Sequence, residues 1–226
     1  MKIATSITET DINLAIDNAL KIMDKYPDII IELRADYLDK IDEADLSLFR
    51  KKLTSKLIFT LREPSEGGKR QYDFDEKIKI LLLAQELGFD LIDCEFKIFE
   101  KLQISKQSEF DKTKLILSYH DFKKTPLYKT IKNLYKNIKY YYPAIIKLAF
   151  AVNSSRDVKK VCKLIISTND KKVIIGMGEQ GKMTRLLGPI LGCEFTFAAN
   201  EFYTSAPGQV KIDILDKIYK EINKLI

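Results

Sequence analysis

The chain carries one lysine inside an otherwise apolar run, Ala144-Ile145-Ile146-Lys147-Leu148-Ala149-Phe150. No other lysine falls within an apolar strand core by this reading. Apolar surroundings disfavour the ammonium form, and a neutral amine is the form that adds to a carbonyl carbon. The only histidine, His120, closes a second apolar segment as Ser118-Tyr119-His120-Asp121. An imidazole there can carry a proton near neutral pH. Together the pair suits imine formation with a ketone, followed by proton abstraction next to the imine carbon. Each has a plainer alternative when taken alone: Lys147 could extend its amine to solvent, and His120 could be a hydrogen-bonded core residue.

Further polar groups stand where apolar runs end. Glu32, Arg34 and Asp36 alternate along one face of Ile31–Asp36. Phe59-Thr60-Leu61-Arg62 leads into Ser65-Glu66-Gly67-Gly68, and another run ends Asp93-Cys94-Glu95. Gly178 and Gly181 precede Thr184-Arg185, and Ser205-Ala206-Pro207-Gly208-Gln209 follows the last run. The chain has six arginines, Arg34, Arg50, Arg62, Arg70, Arg156 and Arg185, and relies on lysine elsewhere. Arginine suits places where a planar fork must meet a carboxylate or a hydroxyl pair, and three of the six lie at these ends. Glu32 with Arg34 could be an ion pair within the sheet, and the Gly178–Gly181 spacing could be a plain turn. The lack of a second histidine and the scatter of the cysteines argue against a His- or Cys-based metal site. Arginines beside the acids argue against a divalent ion.

The elements that must position these groups alternate. Strand patterns cover Lys2–Ile7, Ile29–Asp36, Lys56–Arg62, Leu91–Phe96, Leu115–His120, Ile145–Phe150, Val173–Gly178 and Phe195–Ala199. Helical patterns cover Asp11–Lys25, Asp45–Lys52, Asp73–Leu87, Phe99–Gln107, Pro126–Tyr140, Ser154–Ser167, Lys182–Leu187 and Val210–Leu225. Continuous β/α alternation calls for a parallel sheet. Eight units within 226 residues fit a compact (β/α)8 TIM barrel, expected as a single domain over 1–226. In such a barrel chemistry collects at the C-terminal strand ends, where the polar groups fall. A doubly wound sheet is disfavoured, since no G-x-G-x-x-G follows the first strand and no phosphate-binding P-loop motif occurs.

Composition narrows the rest. At 46% hydrophobic and 31% charged residues the chain is neither disordered nor fibrous. No run approaches the roughly 18 apolar residues of a membrane span, and residues 1–11 show no secretory pattern. Cys94, Cys162 and Cys193 are odd in number and dispersed, so free thiols in a reducing cytoplasm are expected. The net charge of +6 raises the question of nucleic acid, but the lysines are scattered among 32 acidic residues. A basic binding module is therefore disfavoured.

The motifs resemble type I 3-dehydroquinate dehydratases, the Schiff-base enzymes of the shikimate pathway. The resemblance runs from Ser6 to Gln209. It rests on Glu32-Leu33-Arg34-Ala35-Asp36, Phe59-Thr60-Leu61-Arg62 with Glu66-Gly67-Gly68, Ser118 to Phe122, Lys147-Leu148-Ala149, Met177 to Arg185, and Ser205 to Gln209. It implies a (β/α)8 barrel, usually homodimeric and cytoplasmic, that dehydrates 3-dehydroquinate to 3-dehydroshikimate without metal or organic cofactor. By the same resemblance Lys147 is the Schiff-base lysine, His120 the general acid/base, and Glu66 the carboxylate that orients His120. Arg185, Ser205 and Gln209 would clamp the substrate carboxylate, with Ser205–Gln209 as a lid. Glu32, Arg34 and Arg62 would meet the ring hydroxyls and neighbouring polar groups, and Ser6 would join the substrate-binding set. Leu148 and Phe150 depart from the family's usual apolar neighbours of the lysine, which bears on packing alone. The alternative from lysine chemistry is a class I aldolase- or transaldolase-like lyase acting on a sugar phosphate. It would need a phosphate cradle after strands seven and eight, and Phe195-Thr196-Phe197-Ala198-Ala199 supplies no glycines for one.

Overall fold

The computed structural model describes residues 1–203 and 206–225. Eight strands are formed: β1 Ile3–Ile7, β2 Ile30–Arg34, β3 Leu57–Thr60, β4 Leu91–Glu95, β5 Leu115–Asp121, β6 Ile145–Ala151, β7 Lys172–Met177 and β8 Thr196–Ala198. Between and after them lie α1 Ile12–Lys25, α2 Glu43–Lys52, α3 Phe74–Glu86, α4 Phe96–Phe99, α5 Ile104–Gln107, α6 Tyr128–Lys139, α7 Ser155–Ile166, α8 Lys182–Leu187 and α9 Ile212–Asn223. The sheet order is β7-β6-β5-β4-β3-β2-β1-β8. This sequential order, with β8 beside β1, is that of a (β/α)8 barrel. No helix among the described residues is long and apolar enough to cross a membrane.

The strands read as largely apolar runs because a parallel sheet is covered on both faces, with their polar residues gathered mainly toward the C-terminal ends. Several helices begin where short acceptor side chains can take free N–H groups. Asp11 accepts from Leu14 N, Asp42 from Asp45 N, Asp73 from Asp75 N and Glu76 N, and Ser154 from Asp157 N. Each such cap is worth about 1 kcal/mol. The second of these extends the expected helix start at Asp45 back to Glu43, since Asp42 is the cap.

The chain divides into two compact units. One comprises Met1–Ser6, His120–Tyr141 and the residues from Ile145 onward; the other comprises Ile7–Tyr119 with Tyr142–Ala144. In the first, β1 pairs with β8 from Ile3 opposite Thr196, and β6 pairs with β7 from Ile146 opposite Lys172. Phe195 and Phe197 meet edge to face at 5.6 Å. A parallel bridge between Ala199 and Lys211 closes the segment after β8.

In the second unit, β2, β3 and β4 pair in register, and β4 continues onto β5 with Glu95 opposite Ser118. Its core is aromatic: Phe89 stacks on Phe49 and meets the edge of Phe59 at 5.2 Å. Burying each such ring contributes roughly 1.5–3 kcal/mol. Two expectations change here. β2 stops at Arg34, and Ala35–Tyr37 forms a 3-10 turn, so Asp36 stands off the strand. The single helix expected over Phe99–Gln107 is two short helices, α4 and α5, because Phe96 and Phe99 turn inward one after the other and Leu102 follows them into the core. The Gln107 side chain donates to Phe99 O and Leu102 O across the break.

Candidate active site

In the first unit Lys147 is the third residue of β6, opposite Val173 of β7, and is 5% exposed. Its Nζ lies 4.4 Å from the ring centroid of Phe197 on β8. The amine thus rests on an aromatic face and is flanked along the strand by buried Ile146 and Leu148. His120, near the end of β5, is half-buried and stacks on Phe122 with centroids 6.4 Å apart. Lys147 is not alone in its burial. Lys172, at the start of β7, is also buried, but its ammonium group donates to Thr168 O and Asp170 O in the loop after α7.

Arg185 also reaches β8. It lies on α8, which is tied to β7 through Thr184: the Thr184 hydroxyl accepts from Gly176 N and donates to Gly181 O. The Arg185 backbone carbonyl accepts from the Tyr219 hydroxyl. Its guanidinium is 2% exposed and, among the described residues, hydrogen-bonds to two carbonyl oxygens, Phe197 O and Pro207 O, each at 3.4 Å. Its Nε is buried with no hydrogen-bond partner, and among the described residues no acid pairs with it. Burial alone lowers its pKa to about 10, which leaves it charged at neutral pH.

The segment beside it is held by backbone. Gly178 N donates to Pro207 O. Gly208 adopts φ +73, and a Cβ there would come within 2.1 Å of Gly178 O, so only glycine fits. Gln209 is half-buried, whereas Ser205 lies outside the described residues. Ser6 is buried on β1, and its carbonyl accepts from the Asn200 side chain.

The second unit holds the other expected residues in one buried polar cluster. Glu32 accepts from the Thr60 hydroxyl. Arg34 is bidentate to Asp36, through Nε to Oδ1 at 2.8 Å and Nη2 to Oδ2 at 2.7 Å, and its Nη2 also donates to Gly67 O. The ion pair of Arg34 is therefore made with Asp36; Glu32 acts on it at longer range, and the sum of bonds and charge raises the Arg34 pKa against its burial.

Arg62 pairs with Asp93 at 2.8 Å, lies 3.5 Å from Glu95, and donates to the Ser118 hydroxyl, which donates in turn to Asp93. Burial works against its charge, but Asp93, Glu95, Glu66 and Glu32 more than offset that and raise its pKa. Glu66 is 2% exposed in the 3-10 turn Pro64–Glu66, with the Lys97 ammonium 3.8 Å away. Strand ends exposed Asp93, Glu95 and Ser118 to view in the sequence, but not their shared partner. Lys77, buried between Glu63 and Glu95, is a further residue of this cluster, and its sign in the sequence is a charge that breaks the apolar spacing of α3.

No group of three or more His, Cys, Asp or Glu side chains among the described residues is placed to hold a metal ion. The cysteines are free, and burial pushes each thiol up, Cys193 to about 11.

A model of the type I 3-dehydroquinase family matches residues 3–226. The chain belongs to that family. A 3-dehydroquinate dehydratase of Methanococcus maripaludis (strain C5) is 37% identical over 227 residues, covering 99% of each chain. One from Coxiella burnetii (strain CbuK_Q154) is 33% identical over 197 residues, covering 86% of this chain and 83% of that protein. Among solved structures, the type I dehydroquinase of Clostridium difficile, bearing covalently modified comenic acid, superimposes with a TM-score of 0.86 at 25% identity, covering 100% of this chain and 93% of that one. The 3-dehydroquinate dehydratase of Geobacillus kaustophilus shares the dehydroquinase fold at a TM-score of 0.85 and 24% identity, over 99% and 91% of the two chains.

Proposed function

We propose that this chain is a 3-dehydroquinate dehydratase, a hydro-lyase that acts through an imine on Lys147. The observation that carries the reading is the environment of Arg185 and Lys147 around β8. A buried guanidinium that, among the described residues, meets only carbonyls suits a ligand carboxylate, which it can take through two parallel N–H bonds. The Lys147 amine, buried on β6, suits addition to a ketone. 3-Dehydroquinate carries both groups.

In this reading the Lys147 amine adds to the C3 ketone and water leaves, giving an iminium. The iminium draws electrons from the adjacent C2–H bond, and His120 takes the C2 proton to form an enamine. The enamine expels the C1 hydroxyl, to which His120 returns the proton, so the leaving group is water. Hydrolysis of the remaining imine restores Lys147 and releases 3-dehydroshikimate. Glu66 orients His120; Arg185, with Ser205 and Gln209, fixes the carboxylate; Ser6, Glu32, Arg34 and Arg62 meet the ring hydroxyls and neighbouring polar groups. No step calls for a metal or organic cofactor, nucleic acid or a membrane. The chain 1–226 is read as one catalytic domain, working in the cytoplasm as a homodimer, which light scattering on the purified protein tests directly.

The deciding experiment follows the ultraviolet absorbance of the conjugated enone. Absorbance that grows with 3-dehydroquinate and not with sugar phosphates is the expected result. Turnover of a sugar phosphate in place of dehydroquinate would turn the reading toward an aldolase-like lyase.

A further inference from the structure

Lys77 is a cation on the apolar side of a helix. In α3 the buried positions are Lys77, Ile78, Leu81 and Ala84, and Lys77 is 1% exposed. Its ammonium group sits between two carboxylates, 2.9 Å from Glu63 Oε1 and 2.9 Å from Glu95 Oε2. Glu95 turns its other oxygen to the backbone, where Oε1 accepts from Glu63 N at 2.7 Å. One ammonium group thus grips Glu63 by its side chain directly and by its backbone through Glu95.

Glu63 opens the turn that carries Glu66. Glu66 N and Gly68 N both donate to Glu63 O, at 2.9 and 2.8 Å. The turn is closely packed, since a Cβ on Gly68 would fall 1.8 Å from Arg62 O. Its far side is braced by Arg34 and Asp36: Arg34 donates to Gly67 O, and Asp36 accepts from Lys69 N. Among the described residues Lys77 alone is ion-paired to Glu63. Without that cation Glu63 would lose its ion pair and Glu95 would keep only the longer contact to Arg62 at 3.5 Å, so the bond from Glu63 N to Glu95 would be set against the repulsion of two carboxylates.

We propose that Lys77 is a positioning residue for the dehydration: by holding Glu63 and Glu95 together it fixes the turn that presents Glu66. The inference rests on the proposed function, in which Glu66 orients the acid/base histidine. It predicts a defect in proton transfer and not in imine formation, because Lys147 and Arg185 belong to other elements.

The test uses the full chain with Lys77→Met, Lys77→Arg and Glu63→Gln, read by steady-state turnover of 3-dehydroquinate and by borohydride trapping of the imine. Lys77→Met is expected to lower kcat about 10- to 100-fold, the scale of a small misplacement of a reacting group. KM and the trapped yield should change little, and Lys77→Arg should recover most of kcat. An unchanged kcat overturns the inference. So does loss of trapping in step with turnover in protein that still unfolds cooperatively. If Lys77→Met does not fold, Glu63→Gln decides: a lowered kcat with trapping kept supports the inference, and wild-type kcat overturns it. Wild-type protein that fails to convert dehydroquinate removes the proposed function itself, and this inference with it, whatever the variants do.

Discussion

Arg62 and Arg185 are both almost fully buried, at 3% and 2% exposure, yet their surroundings are opposite. Arg62 meets Asp93, Glu95 and the Ser118 hydroxyl, and neighbouring acids raise its pKa. Among the described residues Arg185 meets two carbonyls at 3.4 Å and its Nε has no partner, and burial lowers its pKa to about 10. A buried charge without a counter-charge costs several kcal/mol. A saturated arginine holds a structure together. In the proposed reading an unsaturated one is a socket for an anion, whose charge offsets that cost.

The largest expected effect breaks the saturated side. Arg62→Met leaves Asp93 buried without its cation and Glu95 with Lys77 alone, and should destabilise the protein by about 3–5 kcal/mol, measured by urea or thermal unfolding. A loss below 1 kcal/mol would mean that the cluster around β3 and β4 is not held by this charge.

Arg185→Met should do the reverse. The ligand-free protein should gain about 1 kcal/mol or more, because an unpaired buried charge is gone, while kcat/KM should fall by the roughly 2–5 kcal/mol of a lost buried charge pair. The gain has a pH signature. The folded-state pKa is depressed, so the wild-type penalty is full below pH about 10 and relieved as pH rises toward the unfolded value of 12.5. The stability gap between variant and wild type should therefore narrow above pH 10. A variant that is less stable yet fully active would contradict the socket reading.

Much of this contrast lay outside the reach of one sequence. The eight β/α units were legible because parallel strands are continuous apolar runs and several helices open on Asp or Ser caps. Lys147 and Arg185 stood out as charges beside apolar runs. Partners were harder. The two-residue period placed Asp36 on a strand face with Glu32 and Arg34, but β2 ends at Arg34, and the 3-10 turn swings Asp36 back onto the guanidinium. The contact from Arg62 to Asp93 spans neighbouring strands far apart in the chain, and no local pattern encodes it. Lys77 did leave a signal, a charged residue at the helical spacing of Ile78 and Leu81, but one hidden among many surface lysines.

A smaller effect sharpens the saturated side. Arg34→Lys keeps the charge but cannot reproduce the fork that Asp36 receives through Nε and Nη2, nor the reach to Gly67 O. The expected cost is about 1–3 kcal/mol of stability, the value of hydrogen bonds to a charged group, with a modest fall in kcat. Wild-type stability would show that Asp36 is served by the backbone N–H groups of Arg62 and Lys69 alone.

The most direct measurement concerns the amine on the Phe197 ring. Borohydride added with 3-dehydroquinate should inactivate the protein irreversibly, whereas borohydride alone should do little. Peptide mass mapping should then place the reduced adduct on the fragment that contains Lys147. An adduct on an exposed helix lysine such as Lys132 or Lys159, with Lys147 unmodified, would contradict the account.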